Sequence, residues 1–129
     1  MTYGEAKQFI SGYLQGDNSS AVIEPIHFKM AILEIATRCV PKELTLPYTG
    51  DETDIFRLLP IDEDTATQLY IKIPDIQQTV NDDDEMPIDQ QLAMAVIFYV
   101  CSYHSNKYIE KYEKKAELII SVFVSNELP

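Results

Sequence analysis

The apolar positions of this chain fall into four blocks of helical rhythm, with one block of a different rhythm in the middle. Ala6, Phe9, Ile10, Tyr13 and Leu14 recur at spacings of three, one, three and one, a single stripe of a 3.6-residue period. Thr2-Tyr3-Gly4-Glu5 just ahead of it has the Thr-x-x-Glu form of a capping box, which satisfies free N–H groups at a helix start. The pattern predicts a first helix over about residues 3–15, stopped by Gly16-Asp17-Asn18. A second is expected over about 25–39, opened by Pro25 and stopped by Pro41. Its apolar residues, among them Ile26, Met30, Leu33, Ile35, Ala36 and Cys39, cover more than one face.

Residues 43–80 change period. Leu69, Ile71 and Ile73 alternate with Tyr70 and Lys72, the two-residue repeat of a strand, and Ile55-Phe56-Arg57-Leu58 is its candidate partner. The prediction is a small β-hairpin, with a third short strand at Leu44–Leu46. Asp82, Asp83, Asp84 and Glu85 then form an acidic loop before Pro87, with their negative charge expected near the positive end of the following helix. That third helix, about 88–105, is apolar on every side from Leu92 to Cys101. Asn106 ends it, and a fourth is expected over about 107–125, with Tyr108, Tyr112, Ala116, Ile119, Ile120 and Phe123 in one stripe. The last two helices should pair as an αα-hairpin. The fold class is therefore mainly α: one four-helix, bundle-like domain, residues 1–129, with a β-hairpin inserted between its second and third helices.

Charge changes the picture more than composition does. The net charge is -11, from 10 basic and 21 acidic residues. Residues 51–89 hold 12 acidic and 2 basic side chains, while the segments on either side are close to neutral. Such a chain has no basic stripe for phosphate contacts, so DNA binding through one is not expected. The acidic block suits a basic partner or a surface that DNA slides past. The longest apolar run, Leu92 to Cys101, is about half of a bilayer span, and no signal-peptide pattern opens the chain, so a membrane role is not expected.

Candidate chemistry is sparse. Cys101-x-x-His104 has metal-ligand spacing, and His27 with Cys39 would complete a set of four. The two pairs are far apart and unlike in spacing, so reduced, buried thiols and histidines without a metal are the expectation. Neither Asp62-Glu63-Asp64 nor Asp82–Glu85 continues with the Gly and distal Glu of a calcium loop. No nucleophile elbow, phosphate loop or dinucleotide fingerprint is present, so neither a catalytic residue nor a cofactor is expected. What exceeds an ordinary fold is the apolar excess on the second and third helices. Met30, Leu33, Val96, Tyr99 and Tyr103 are the candidate oligomer interface within it.

The order of elements resembles the small head–tail connector, or adaptor, proteins of tailed bacteriophages and prophages. The opening Met1-Thr2-Tyr3-Gly4-Glu5-Ala6-Lys7 through Ile10, then Ile32-Leu33-Glu34-Ile35-Ala36, look like the family's first two helices. Tyr70-Ile71-Lys72-Ile73-Pro74, an acidic turn, and Ile88-Asp89-Gln90-Gln91-Leu92-Ala93-Met94-Ala95-Val96-Ile97 resemble its strand ending in proline and its helix opening Leu-x-x-Ala-Val. Tyr99 to Tyr112 matches its long last helices. The resemblance implies a structural protomer of the virion neck, assembled in the bacterial cytoplasm. Copies of the chain would ring the portal, meet portal and tail or neck proteins, and let DNA pass as cargo. It carries over no active site. Identical neighbours in such a ring would bring acidic blocks together, so raising salt is expected to promote self-association. The Asp82–Glu85 loop is expected to order on docking. The competing reading is a small acidic binding module, a DNA mimic or an inhibitor of a basic partner; a metal-dependent enzyme ranks last.

Overall fold

A computed structural model describes residues 1–127. Helix α1 spans Tyr3–Leu14, α2 Pro25–Arg38, α3 Ala93–His104 and α4 Ile109–Glu127. Between α2 and α3 lie three short strands, β1 Thr45–Pro47, β2 Ile55–Leu58 and β3 Leu69–Lys72. The mainly α fold with a β insert between the second and third helices is thus what the chain adopts.

The capping box forms as expected. Thr2 Oγ1 accepts from the Glu5 amide at 3.2 Å, and Glu5 Oε1 accepts from the Thr2 amide at 3.1 Å. The helix buries Tyr3, Ala6, Ile10 and Leu14. Phe9, expected in that stripe, is exposed, because the buried line lies about one position further round the helix. Helix α2 buries Phe28, Ala31, Ile32, Ile35 and Ala36, and turns Ile26 and Met30 outward. Its last carbonyls would be left without partners, as at any helix end. Arg57, reaching from β2, donates through Nη2 to the carbonyls of Ala36 and Cys39 at 3.0 and 3.1 Å.

The sheet order is β1-β3-β2, with both pairings antiparallel. Thr45 stands opposite Ile71, and Leu58 opposite Tyr70, with a bulge in β2 between Ile55 and Arg57. Strand β1, expected at Leu44–Leu46, lies one residue later. Pro47 sits on its outer edge, where the missing N–H breaks no ladder. Leu44 and Ile71 are fully buried and join the helical core, so the insert is anchored rather than appended.

Helix α3 is the centre of the molecule. Its residues Ala95 to Ser102 are all buried, enclosed by α1, α2 and α4. An all-round apolar helix is stable only when so enclosed, and each large side chain it buries contributes about 1.5–3 kcal/mol. Its start differs from the expected residue 88. A 3₁₀ turn, Gln90–Leu92, leads into the helix at Ala93, and Asp89 is committed elsewhere. Helix α4 buries Tyr112, Ala116, Ile120 and Phe123 against it, leaving Tyr108 exposed.

The hairpin turns fix the ends. Asp17, after α1, accepts from the Ser105 hydroxyl and from the Asn106 amide (3.0 Å), and Asn18 Nδ2 donates to the His104 carbonyl at 2.7 Å. The end of α1 therefore lies beside the end of α3. The amides of Tyr3 and Gly4 donate to the carbonyls of Asp84 and Asp82, so α1 also begins beside the segment leading to α3. Helices α1 and α3 thus run one way, and α2 and α4 the other. The sheet and the acidic loop share the end where α1 and α3 begin.

Candidate functional site

The sequence-level candidates separate into core and surface. Val96 and Tyr99, expected at an oligomer interface, are 0 % and 3 % exposed within the single chain. They are core residues, because α3 is covered on all sides by its own neighbours. Met30 and Tyr103 are exposed and Leu33 is half-buried, so these remain on the surface. With Ile26, Met30 forms an apolar line along the outside of α2, and exposed Val22 lies just ahead of the helix.

A second apolar line was not singled out in the sequence. Leu118 and Val122, four residues apart on α4, are 66 % and 54 % exposed. They point away from the buried Tyr112–Phe123 stripe, flanked by Lys111, Lys114 and Lys115, all exposed. Their signal was present as a second four-residue spacing on the polar side of the helix.

The four residues weighed as a metal-ligand set, and set aside, do not converge. Only His27 and His104 meet, with ring centroids 4.5 Å apart and His104 Nε2 3.3 Å from His27 Nδ1. His27 Nδ1 also accepts from the Glu24 amide at 3.0 Å, so it acts as an acceptor and closes the start of α2. Burial, then the neighbouring His27, lowers the His104 pKa below the usual histidine value. Cys39 lies at the end of α2 and Cys101 inside α3, both as free thiols. Burial pushes the thiol pKa values up to about 11 and about 12 respectively, which keeps both protonated and unreactive. Among the described residues no group of three or more His, Cys, Asp or Glu side chains is placed to hold a metal ion. Nor, among those residues, is any helix long and apolar enough to cross a membrane.

The acidic loop is built rather than loose. Besides the two carbonyl contacts to the start of α1, Asp82 Oδ1 accepts from Lys7 Nζ at 2.9 Å and Asp84 Oδ2 from the Asn81 amide at 3.2 Å. Glu85 Oε2 lies 2.7 Å from the Met1 amine. Gly4 suits this close approach: a Cβ there would lie 3.0 Å from both Cβ and O of Asp82, tighter than an ordinary contact. The loop, expected to bear on the start of the third helix, thus packs directly on the start of α1. The physical reason is that α1 offers free N–H donors which the loop carbonyls satisfy. The carboxylates of Asp82, Asp83, Asp84 and Glu85 remain exposed to solvent.

Asp89 was invisible as a functional group in the sequence. Its carboxylate is 5 % exposed and accepts from the amides of Lys42 and Glu43 at 2.8 and 2.7 Å. It thereby caps the 3₁₀ turn Lys42–Leu44 and ties the insert to α3. The nearby groove between the end of α2, the sheet and the end of α4 holds about 640 Å³ and is lined by Arg38, Lys42, Arg57, Leu69 and Phe123. Its cations are engaged: Arg38 with Glu34, Lys42 with Glu127, Arg57 with backbone carbonyls. What the arrangement offers is therefore contact surface: two apolar helix flanks and a strongly acidic end.

Compared with known protein families, with curated proteins and with solved structures, the chain matches none.

Proposed function

We propose that the chain is a head–tail connector of a tailed phage or prophage, a structural protomer that forms a ring on the portal and lets DNA pass. The observation that supports this most is the pair of unpartnered apolar flanks. Ile26 and Met30 line the outside of α2, with exposed Val22 just ahead of it, while Leu118 and Val122 line the outside of α4. A ring protomer seated on a portal meets both its own copies and the portal, so apolar surface on more than one face suits it. The resemblance noted in the sequence supports the reading, and the exposed acidic loops give a wall that DNA would not adhere to. The test is co-expression with the portal gene of the same genome, followed by purification and electron microscopy. A ring of this chain seated on the portal is expected. A chain that never co-purifies with the portal overturns the reading.

The second reading, an acidic module that occupies a basic partner, rests on the exposed carboxylates of Asp62–Asp64 and Asp82–Glu85. It predicts a tight one-to-one complex with a basic protein encoded nearby, and no ring.

A further inference from the structure

Charge in this molecule is segregated along the bundle, which the sequence-level sum conceals. Lys111, Lys114 and Lys115 lie on the outer arc of α4 with Leu118 and Val122, and Glu113 and Glu117 lie on its other flank. Glu117 faces Arg38 at 3.9 Å, toward α2. Among the described residues no ion pair involves any of the three lysines. Lys111 and Lys115 instead rest over aromatic rings, Lys111 over Tyr108 and Lys115 over Tyr13 and Phe98. The acidic surface lies at the other end. The β2–β3 tip carries Asp62, Glu63 and Asp64, all exposed, beside exposed Leu58 and Ile61. Of the described residues of α4, Phe123, Val124 and Glu127, all at its far end, reach the groove beside the sheet. Lys111 is thirteen residues before Val124, about 20 Å along a helix, so the basic arc and the acidic tip do not meet within one chain.

Each of these surfaces combines aliphatic side chains with charge of one sign, and the signs are opposite. We propose that the α4 arc docks on the β2–β3 tip of a second copy of this chain. Such a contact joins unlike faces, so every bound copy leaves one face of each kind free for the next, and the series closes into a ring where the rotation permits. The occupant is a second copy because its own tip supplies carboxylates to meet the lysines of the α4 arc and aliphatic side chains to meet Leu118 and Val122. This rests on the connector reading and specifies which surfaces meet. It also reverses the salt dependence expected from the sequence: salt screens an attraction between unlike faces rather than a repulsion between like ones, and so weakens association.

The experiment is sedimentation of the full chain at low and high salt, with charge reversals on each face. Lys111→Glu with Lys114→Glu changes the arc without touching the Lys115 ring contacts. Glu63→Lys with Asp64→Lys changes the tip while sparing Asp62, whose Oδ1 accepts from the Asp64 amide and holds the turn. Association of the wild type is expected to weaken by about tenfold or more between about 50 mM and 500 mM salt. Each reversal alone is expected to weaken it by about tenfold or more, and the four changes together to restore it, at a net charge still equal to the wild type's -11. Circular dichroism confirms that each variant is folded. A wild type that stays monomeric at low salt overturns the pairing, as do reversals that leave association unchanged or that are not rescued in combination. A ring that ignores the reversals removes this pairing and keeps the connector reading, whereas a closed, two-fold dimer removes both.

Discussion

Replacing Asp89 tests how the β insert is held to the helices. The side chain is almost wholly buried and receives two amide hydrogen bonds, from Lys42 and Glu43, at 2.8 and 2.7 Å. A hydrogen bond to a charged acceptor contributes about 1.5–3 kcal/mol, so the pair sets an upper bound of about 6 kcal/mol. The cost of Asp89→Ala is smaller than that bound, because Lys42 and Glu43 are themselves exposed and water can reach their freed amides. We expect a loss of about 3 kcal/mol for Asp89→Ala. Asp89→Asn keeps one acceptor oxygen but turns an NH₂ group toward the other amide, and we expect a loss of about 2 kcal/mol. For a chain of this length 3 kcal/mol lowers Tm by about 10 °C. Urea unfolding followed by circular dichroism measures the effect as a lower midpoint with an unchanged slope. If both variants unfold within about 0.5 kcal/mol of the wild type, the carboxylate is not the clamp described.

Other outcomes follow from the same contacts. Gly4→Ala places a Cβ against Asp82, so it should destabilise the chain by about 1 kcal/mol despite alanine's better helix propensity, read by thermal melting. Hydrogen bonding from Ser105 holds the Asp17 carboxyl below its usual 3.8. Its contribution is therefore present above that value and lost as pH falls through the lower folded-state pKa; Asp17→Asn should flatten that part of the acid limb in Tm against pH. Cys39 and Cys101 should resist a thiol reagent in the native protein and react only on unfolding, as mass spectrometry of the labelled chain would show.

The helices were legible because each carries its apolar residues at helical spacing, and β2 and β3 because residues 55–58 and 69–72 break that spacing. What the pattern could not supply is which distant groups meet. The roles of Asp89, Arg57 and Asp17 depend on hydrogen bonds that span about 20 to 90 residues, and no local period records such pairings. The start of α3 was misplaced for the same reason: Asp89 serves the 3₁₀ turn at Lys42, and the chain becomes helical only beyond it. Val96 and Tyr99 illustrate a different limit. An all-round apolar helix is either a core element or a two-sided contact, and only the positions of α1, α2 and α4 decide between them. The exposed Leu118–Val122 line of α4 went unread because the helix was followed along its buried stripe, and the net count hid the separation of its lysines and glutamates onto two flanks.

The central claim, that this chain is a ring-forming protomer joining unlike faces, is tested most directly by native mass spectrometry across a concentration series in low-salt volatile buffer. The account predicts a ladder of successive copy numbers that ends in one closed, dominant species. A distribution that stops at two copies, at every concentration, would contradict it.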